Sequence, residues 1–242
     1  MSQRLHYIKL LNLVGDFGGG GMFLAFGMVC GLLEVVKSGQ GQVVDAAMVD
    51  GASTLMGLIY GLHAEGIWQD RRASNMVDSG THFYDTYECA DGKYVSIGAI
   101  EPKFYQTMRE ALDLAKDPEM DRQLDPAAWP ALKEKVAAAF RTRTRDEWCD
   151  ILEGSDVCFA PVLSLNEAPD HPHLKARSTF IRDGNLTHPA PAPRFSRTVA
   201  EVQGPPAIPG DHSAQTLVDW GFDADRVAQL LDLGAVVQRS ED

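Results

Sequence analysis

Four consecutive glycines, Gly18 to Gly21, stand directly ahead of the apolar stretch Met22 to Val36. Glycine reaches backbone conformations and distances of approach closed to other residues, so this run predicts either a special turn or two backbones in close contact. Met22 to Lys37 then reads as a helix that is apolar on nearly every side, the pattern of a buried helix. Within it Gly27 and Gly31, four apart, offer a flat stripe for packing, and Ser38-Gly39-Gln40-Gly41 ends it with glycine in its usual place. Gln42 to Met48 is expected as a short buried strand and Asp50 to Glu65 as a second apolar helix. That succession is the rhythm of an α/β layered domain. A fully buried helix as the first substantial element has nothing before it to cover it, which leads us to expect a missing N-terminal portion.

Further along, Phe83 to Cys89 and Tyr94 to Ile100 are β-rich and flank Ala90-Asp91-Gly92-Lys93, a strong hairpin signal. Glu101-Pro102 opens a helix to about Leu114, with proline suited to the first turn. Helices are predicted at about 127–140 and 145–153, the latter capped by Thr144. Ala160 to Ser164 reads as extended, and Glu167 to Ser178 as helical in part. Thr187 to Pro209 reads as an ordered, proline-rich crossing segment anchored by Phe195 and Val199. A helix or helix pair closes the chain from Ala214 to Leu233.

Composition removes several classes of function. A net charge of −12 argues against nonspecific nucleic-acid binding, which needs Lys and Arg to neutralise phosphates, although local cations can still hold an anionic ligand. Cys30, Cys89, Cys149 and Cys158 form no CxxC pair, so we expect reduced, mostly buried thiols rather than zinc or disulfides. His171 and His173 beside Asp170 lack a clear third ligand, and no metal is expected. The glycine run lacks both the Lys-Ser/Thr of a P-loop and the spacing of a dinucleotide fingerprint. Met22 to Leu33, the uninterrupted apolar part, falls short of the roughly 20 residues that span a bilayer. The N-terminus has no signal-peptide shape. A soluble, cytoplasmic protein with no membrane partner is the expectation.

Three blocks taken together resemble the α-methylacyl-CoA racemases of the family III CoA-transferase superfamily. They are Leu11 to Gly21, Gly39 to Gly51, and Phe83-Tyr84-Asp85-Thr86-Tyr87 through Ala90-Asp91-Gly92-Lys93-Tyr94 to Gly98-Ala99-Ile100-Glu101-Pro102-Lys103-Phe104-Tyr105. Pro193 to Ser196 and Gly210 to Ser213 also fit, so the likeness runs from about residue 10 to the end. The first two blocks are typical of the wider superfamily. The glutamate before Pro-x-Phe-Tyr is more specific to the racemases. The resemblance implies an α/β fold: an incomplete Rossmann-like large domain in residues 1–80, a small α+β domain in 81–186, and a return segment in 187–242. It also implies an interlocked homodimer with each active site between two chains.

Racemisation next to a thioester removes a weakly acidic C–H proton and returns one to the opposite face, which needs an acid or base on each side and stabilisation of the enolate. By resemblance, Asp16 matches the aspartate of one face and Glu101 the glutamate that supports a histidine on the other. The matching histidine lies upstream of Asp16 in the family. His6 sits in an unmatched leader and is not taken as its replacement. Read from the residues alone, Asp16 is also a good helix N-cap and Glu101 a good first-turn carboxylate. Tyr84 and Ile100 are candidate pocket-wall residues or simple core. His63, on an apolar helix, reads as a packed core residue, and His82, His171, His173, His188 and His212 as loop residues. The implied substrate is an acyl-CoA, with CoA part of the substrate and no separate cofactor. Two other readings are a family III CoA-transferase with Asp16 as acyl-accepting nucleophile, and a non-catalytic fragment.

Overall fold

The computed structural model describes residues 12–204 and 206–239. By backbone contacts the chain forms two compact units, Met1–Val162 and Leu163–Asp242. Mixed helix and sheet appear as the α/β reading requires.

The first unit opens with a π-helical stretch, Leu13–Met22, that runs on into α1, Phe23–Ser38. The glycine run is thus wound into the helix rather than forming a turn. Its wide i to i−5 pattern begins where Phe17 N–H donates to the Asn12 carbonyl at 3.1 Å. The expected close approach is present. A Cβ on Gly19 would lie 2.7 Å from the Ala52 backbone nitrogen, so the π-helical stretch and α2, Met48–Leu55, touch backbone to backbone. A Cβ on Gly27 would lie 2.8 Å from Val44 Cγ1, and one on Gly31 3.5 Å from Val44 Cγ2, so the flat stripe is filled by Val44. Gly39 ends α1 at φ +74.

Three expectations need correction here. Residues 42–47 are not a strand, because a strand needs a hydrogen-bonded neighbour and none pairs with this segment among the described residues. Helix α1 contains no buried residue: Leu24, Phe26, Met28, Val29, Leu32 and Leu33 are all exposed. The apolar pattern records what the helix needs, and the described chain covers it only along the Val44 stripe. Finally, the continuous helix Leu13–Ser38 is 26 residues, long and apolar enough to cross a membrane by length and composition, because helix extends upstream of Met22 through the glycines. Packed helices share those properties, and this one carries Asp16, Glu34 and Lys37. The second apolar helix is present but broken at Met56, giving α2 and α3, Gly57–Ala64.

The core of the unit lies under a three-stranded antiparallel sheet of β1, Tyr84–Glu88, β2, Tyr94–Gly98, and β3, Phe159–Val162, in the order β1-β2-β3. The register runs from Tyr84 opposite Gly98 to Glu88 opposite Tyr94, closed by Gly92 at φ +74. Val95 and Ile97 point inward and Tyr94, Ser96 and Gly98 outward, the period of a half-covered strand. Helix α4, Pro102–Ala111, buries Tyr105, Met108 and Arg109, one stripe at helical spacing. Helices α5, Trp129–Phe140, and α6, Arg145–Leu152, complete the core, with Tyr87 stacked on Phe140 at 5.2 Å and Trp148 edge-on to it. Thr144 and Glu147 form a complete capping box at the start of α6. Thr144→Ala should therefore cost about 1 kcal/mol, readable as a lowered urea midpoint. An unchanged midpoint would show that the cap is idle.

The second unit contains α7, Pro172–Ala176, a hairpin of β4, Phe180–Asp183, and β5, Leu186–Pro189, then α8, Ser213–Asp219, and α9, Ala224–Asp232. Asp211 ties the ends of the last pair together. Its carboxylate accepts from Ile208 N–H at 2.9 Å and pairs with Arg239 at 3.1 Å. The hairpin lies outside the sequence expectations, because the proline-rich segment begins at Thr187, after Asp183-Gly184, where Gly184 turns the chain at φ +55. The proposed anchors Phe195 and Val199 are instead exposed.

Candidate functional site

The four residues singled out from the sequence all lie in the first unit. Asp16 is inside the π-helical stretch, not at its cap, which is Asn12. Its N–H is already spent on the Asn12 carbonyl at 3.1 Å, so the N-cap reading does not hold. The carboxylate accepts one bond, from Asn12 Nδ2 at 3.1 Å, and stays exposed. Single π-helical turns recur at functional sites because the widened turn re-aims a side chain. Here the glycines that follow Asp16 give up side chains so that its segment can lie directly on α2.

Glu101 occupies the N-cap of α4, one residue outside the expected first turn, and its side chain makes no capping bond. The carboxyl is exposed and available. Its backbone is held on both sides: Tyr105 N–H donates to the Glu101 carbonyl at 2.9 Å, and Gln123 Nε2 donates to the Ile100 carbonyl at 2.8 Å. Ala99 N–H donates to the Phe83 carbonyl at 2.9 Å. Ile100 itself is half-buried against the core.

Tyr84 borders a cavity of about 470 Å³ on the outward face of the sheet, walled also by Thr86, Ser96, Gly98, Cys158 and Ala160. Gly98 sits beneath the Tyr84 ring, where a Cβ would come within 3.3 Å of Cε2. Cys158 is held at φ +54 and its carbonyl accepts from Gly98 N–H at 3.0 Å. Partial desolvation raises its thiol above the usual range, and the charges of Glu101 and Asp156 add to that. Asp85 also borders this cavity and pairs with Lys133 at 2.5 Å. Tyr84 and Cys158 thus wall one cavity. Among the described residues no hydrogen bond or ion pair joins Asp16 to it.

Two histidines depart from their expected settings. His63 is exposed, not core, with Nδ1 2.9 Å from the Trp68 carbonyl oxygen. His82, read as a loop residue, is completely buried. Its Nε2 lies 2.8 Å from Tyr105 Oη, which in turn donates to the Met120 carbonyl at 2.8 Å. Tyr87 Oη donates to the His82 carbonyl at 2.7 Å. This brace joins the lead-in of β1 to the first turn of α4, the helix that Glu101 precedes. Burial, with Lys133 adding to it, lowers His82 to about 4. The sequence offered no cue to this brace or to Gln123, because each depends on partners 23 or more residues away. His6 lies outside the described residues. Among the described residues no group of His, Cys, Asp and Glu is arranged to hold a metal ion. All four cysteines are free thiols, but only Cys89 is buried, which corrects the expectation of mostly buried thiols.

The sequence pattern of CoA-transferase family III matches residues 8–213, and the chain belongs to that family. Within it, the chain is 41% identical over 91% of its length to the alpha-methylacyl-CoA racemase of Mus musculus and 38% identical, also over 91%, to that of Homo sapiens. It spans 58% of the length of each of those relatives. It is also 21% identical, over 90% of its length, to the succinyl-CoA:glutarate CoA-transferase of Homo sapiens, of which it spans 52%. Among solved structures it is similar in fold to Rv3272 of Mycobacterium tuberculosis, with TM-score 0.61 and 23% identity over 81% of this chain and 52% of that one. A CAIB/BAIF family protein from Brucella suis matches with TM-score 0.60 and 19% identity, over 83% of this chain and 54% of that one.

Proposed function

We propose that this chain is a racemase- or epimerase-type isomerase of 2-methylacyl-CoA thioesters, in fatty acid metabolism, working by removal and return of the α-proton. The observation that carries the reading is Asp16: an exposed carboxylate in a π-helical turn, within a chain 41% and 38% identical to two alpha-methylacyl-CoA racemases. In this reading Asp16 exchanges a proton on one face of the α-carbon. Glu101 orients a histidine on the other, and the cavity beside Tyr84 receives the acyl side of the thioester. A homodimer belongs to the same reading, with a second copy covering the exposed side chains of α1.

Among the described residues no histidine is hydrogen-bonded to Glu101. In this reading a histidine must be supplied to Glu101, and the chain works below the rate of its named racemase relatives until one is. The test is wash-in of deuterium at the α-carbon of a 2-methylacyl-CoA in D2O, followed by NMR. Asp16→Asn should lower the rate by about 100-fold or more, the usual worth of a positioned acid or base. An exchange rate unaltered by Asp16→Asn would sink the assignment.

A CoA-transferase remains the second reading, favoured by the exposure of Asp16 and the likeness to named CoA-transferases. There the Asp16 carboxylate attacks the thioester carbonyl and CoA thiolate leaves, giving a mixed anhydride. The thiolate then attacks the Asp16 carbonyl and releases the acyl carboxylate, leaving CoA on Asp16. A CoA adduct on the Asp16 peptide by mass spectrometry, without α-proton exchange, would select this reading over the first.

A further inference from the structure

The second unit holds a concave surface that the chemistry above does not use. His173 and Arg177 are four residues apart on and just after α7, and so lie on one side of it. The segment Ala190 to Arg194 forms the opposite wall. With Leu174, Thr179 and Pro191 they enclose a cleft of about 530 Å³. Arg194 Nη2 donates to the Ser178 carbonyl at 2.9 Å, which fixes the guanidinium and leaves its other N–H groups. The Arg177 guanidinium and the His173 imidazole make no side-chain hydrogen bond or ion pair among the described residues.

Neighbouring cations are already engaged. Lys175 and Arg182 both pair with Asp170, at 2.9 and 3.0 Å. No Asp or Glu lines the cleft, in a chain whose net charge is −12. Cations in the last turn of α7 are favoured by the helix dipole, which accounts for His173 and Lys175. It does not account for Arg194, which arrives from another segment. Two arginines and a histidine converging on a cleft with no counter-ion leave an unmet demand for an anion.

We propose that this cleft binds a phosphate-bearing small molecule. The planar forks of Arg177 and Arg194 suit two phosphate oxygens each, which a single carboxylate could not fully occupy. Thr179 supplies a hydroxyl to the wall, and Leu174 and Pro191 supply apolar contact for the organic part. The inference does not rest on the isomerase reading, because its test measures no turnover.

The experiment is calorimetric titration of the whole chain with inorganic pyrophosphate and, separately, with adenosine 3′,5′-bisphosphate. Saturable one-to-one binding is expected, weakening as salt rises. Arg177→Ala and Arg194→Ala should each weaken it at least tenfold, while Arg197→Ala, outside the cleft, should leave it unchanged. Arg194→Lys, which keeps a donor for Ser178, guards against a folding defect and should also bind more weakly. Equal binding of the two probes supports a site that reads phosphate alone. Tighter binding of the nucleotide supports one that also holds the organic part. No saturable binding of either, or binding untouched by both alanine variants, overturns the proposal.

Discussion

Replacing Gly51 with alanine is expected to separate α2 from the π-helical stretch and to destabilise the chain by at least about 3 kcal/mol, the upper range for forced overpacking. The added Cβ would lie 1.8 Å from the Gly19 carbonyl oxygen and 2.7 Å from its carbonyl carbon. Both obstacles are backbone, so no rotamer change relieves the clash. Either the helices part or Gly19 moves, and Asp16 lies three residues away on the same π-helical stretch. If the isomerase proposal holds, loss of α-proton exchange should accompany the fall in stability. Gly61→Ala is the control, because a Cβ there meets nothing within 4 Å and the site is inside α3. That change should be neutral or stabilise by up to about 1 kcal/mol through helix propensity. If urea midpoints of the two variants fall together, the backbone contact is not what holds α2.

The second large effect is acid sensitivity set by His82. Because Tyr105 Oη gives its proton to the Met120 carbonyl, the His82 proton must sit on Nε2 and be donated to Tyr105. Nδ1 is then a bare, buried nitrogen with no partner. Protonating it would place a charge where nothing can receive it, near the ammonium of Lys133, so the folded state resists protonation until about pH 4. The unfolded chain takes that proton near 6.5. Stability should therefore be fully present above pH 6.5 and fall as pH drops from there to 4, by on the order of 3 kcal/mol in all. The carboxylates held low by partners, such as Asp117 beside Lys135 and Asp170 beside Lys175, lose their contribution only as pH falls below the ordinary carboxylate range. The two windows are separable. Urea midpoints of His82→Gln and His82→Phe, measured between pH 7.5 and 4.5, should decline less steeply than those of the parent. Parallel curves for all three would remove His82 from the explanation.

What the sequence conveyed depended on the reach of each signal. Short-range devices were legible: the Asp91-Gly92 turn, the Thr144 cap, Pro102 at the head of α4, and the Gly27 and Gly31 stripe. Each involves residues within a turn or two, or a steric need that only glycine meets. Long-range pairing was not legible. Gln42 to Met48 has a strand's composition but lacks a neighbour to bond. His82 looked like a loop residue because Tyr105, which defines its role, is 23 positions on. Phe195 and Val199 suggest anchors only through hydrophobicity, which says nothing about whether a facing surface exists, and both are exposed. For the site, Asp16 and Glu101 stood out by likeness to a family, while their settings came only from the structure: a π-helical turn for one and an uncapped N-cap for the other.

The absence of buried residues in α1 has a calorimetric consequence. The heat-capacity change on unfolding scales with the apolar surface newly wetted, and so does the denaturant slope. Helix α1 is already wet along most of its length, so melting it adds little to either quantity. Both should track the Phe83 to Val157 core and fall below the values usual for a chain of this size. A ligand or protein that dries α1 would restore them, which makes the heat-capacity increment a direct gauge of whether that helix is covered.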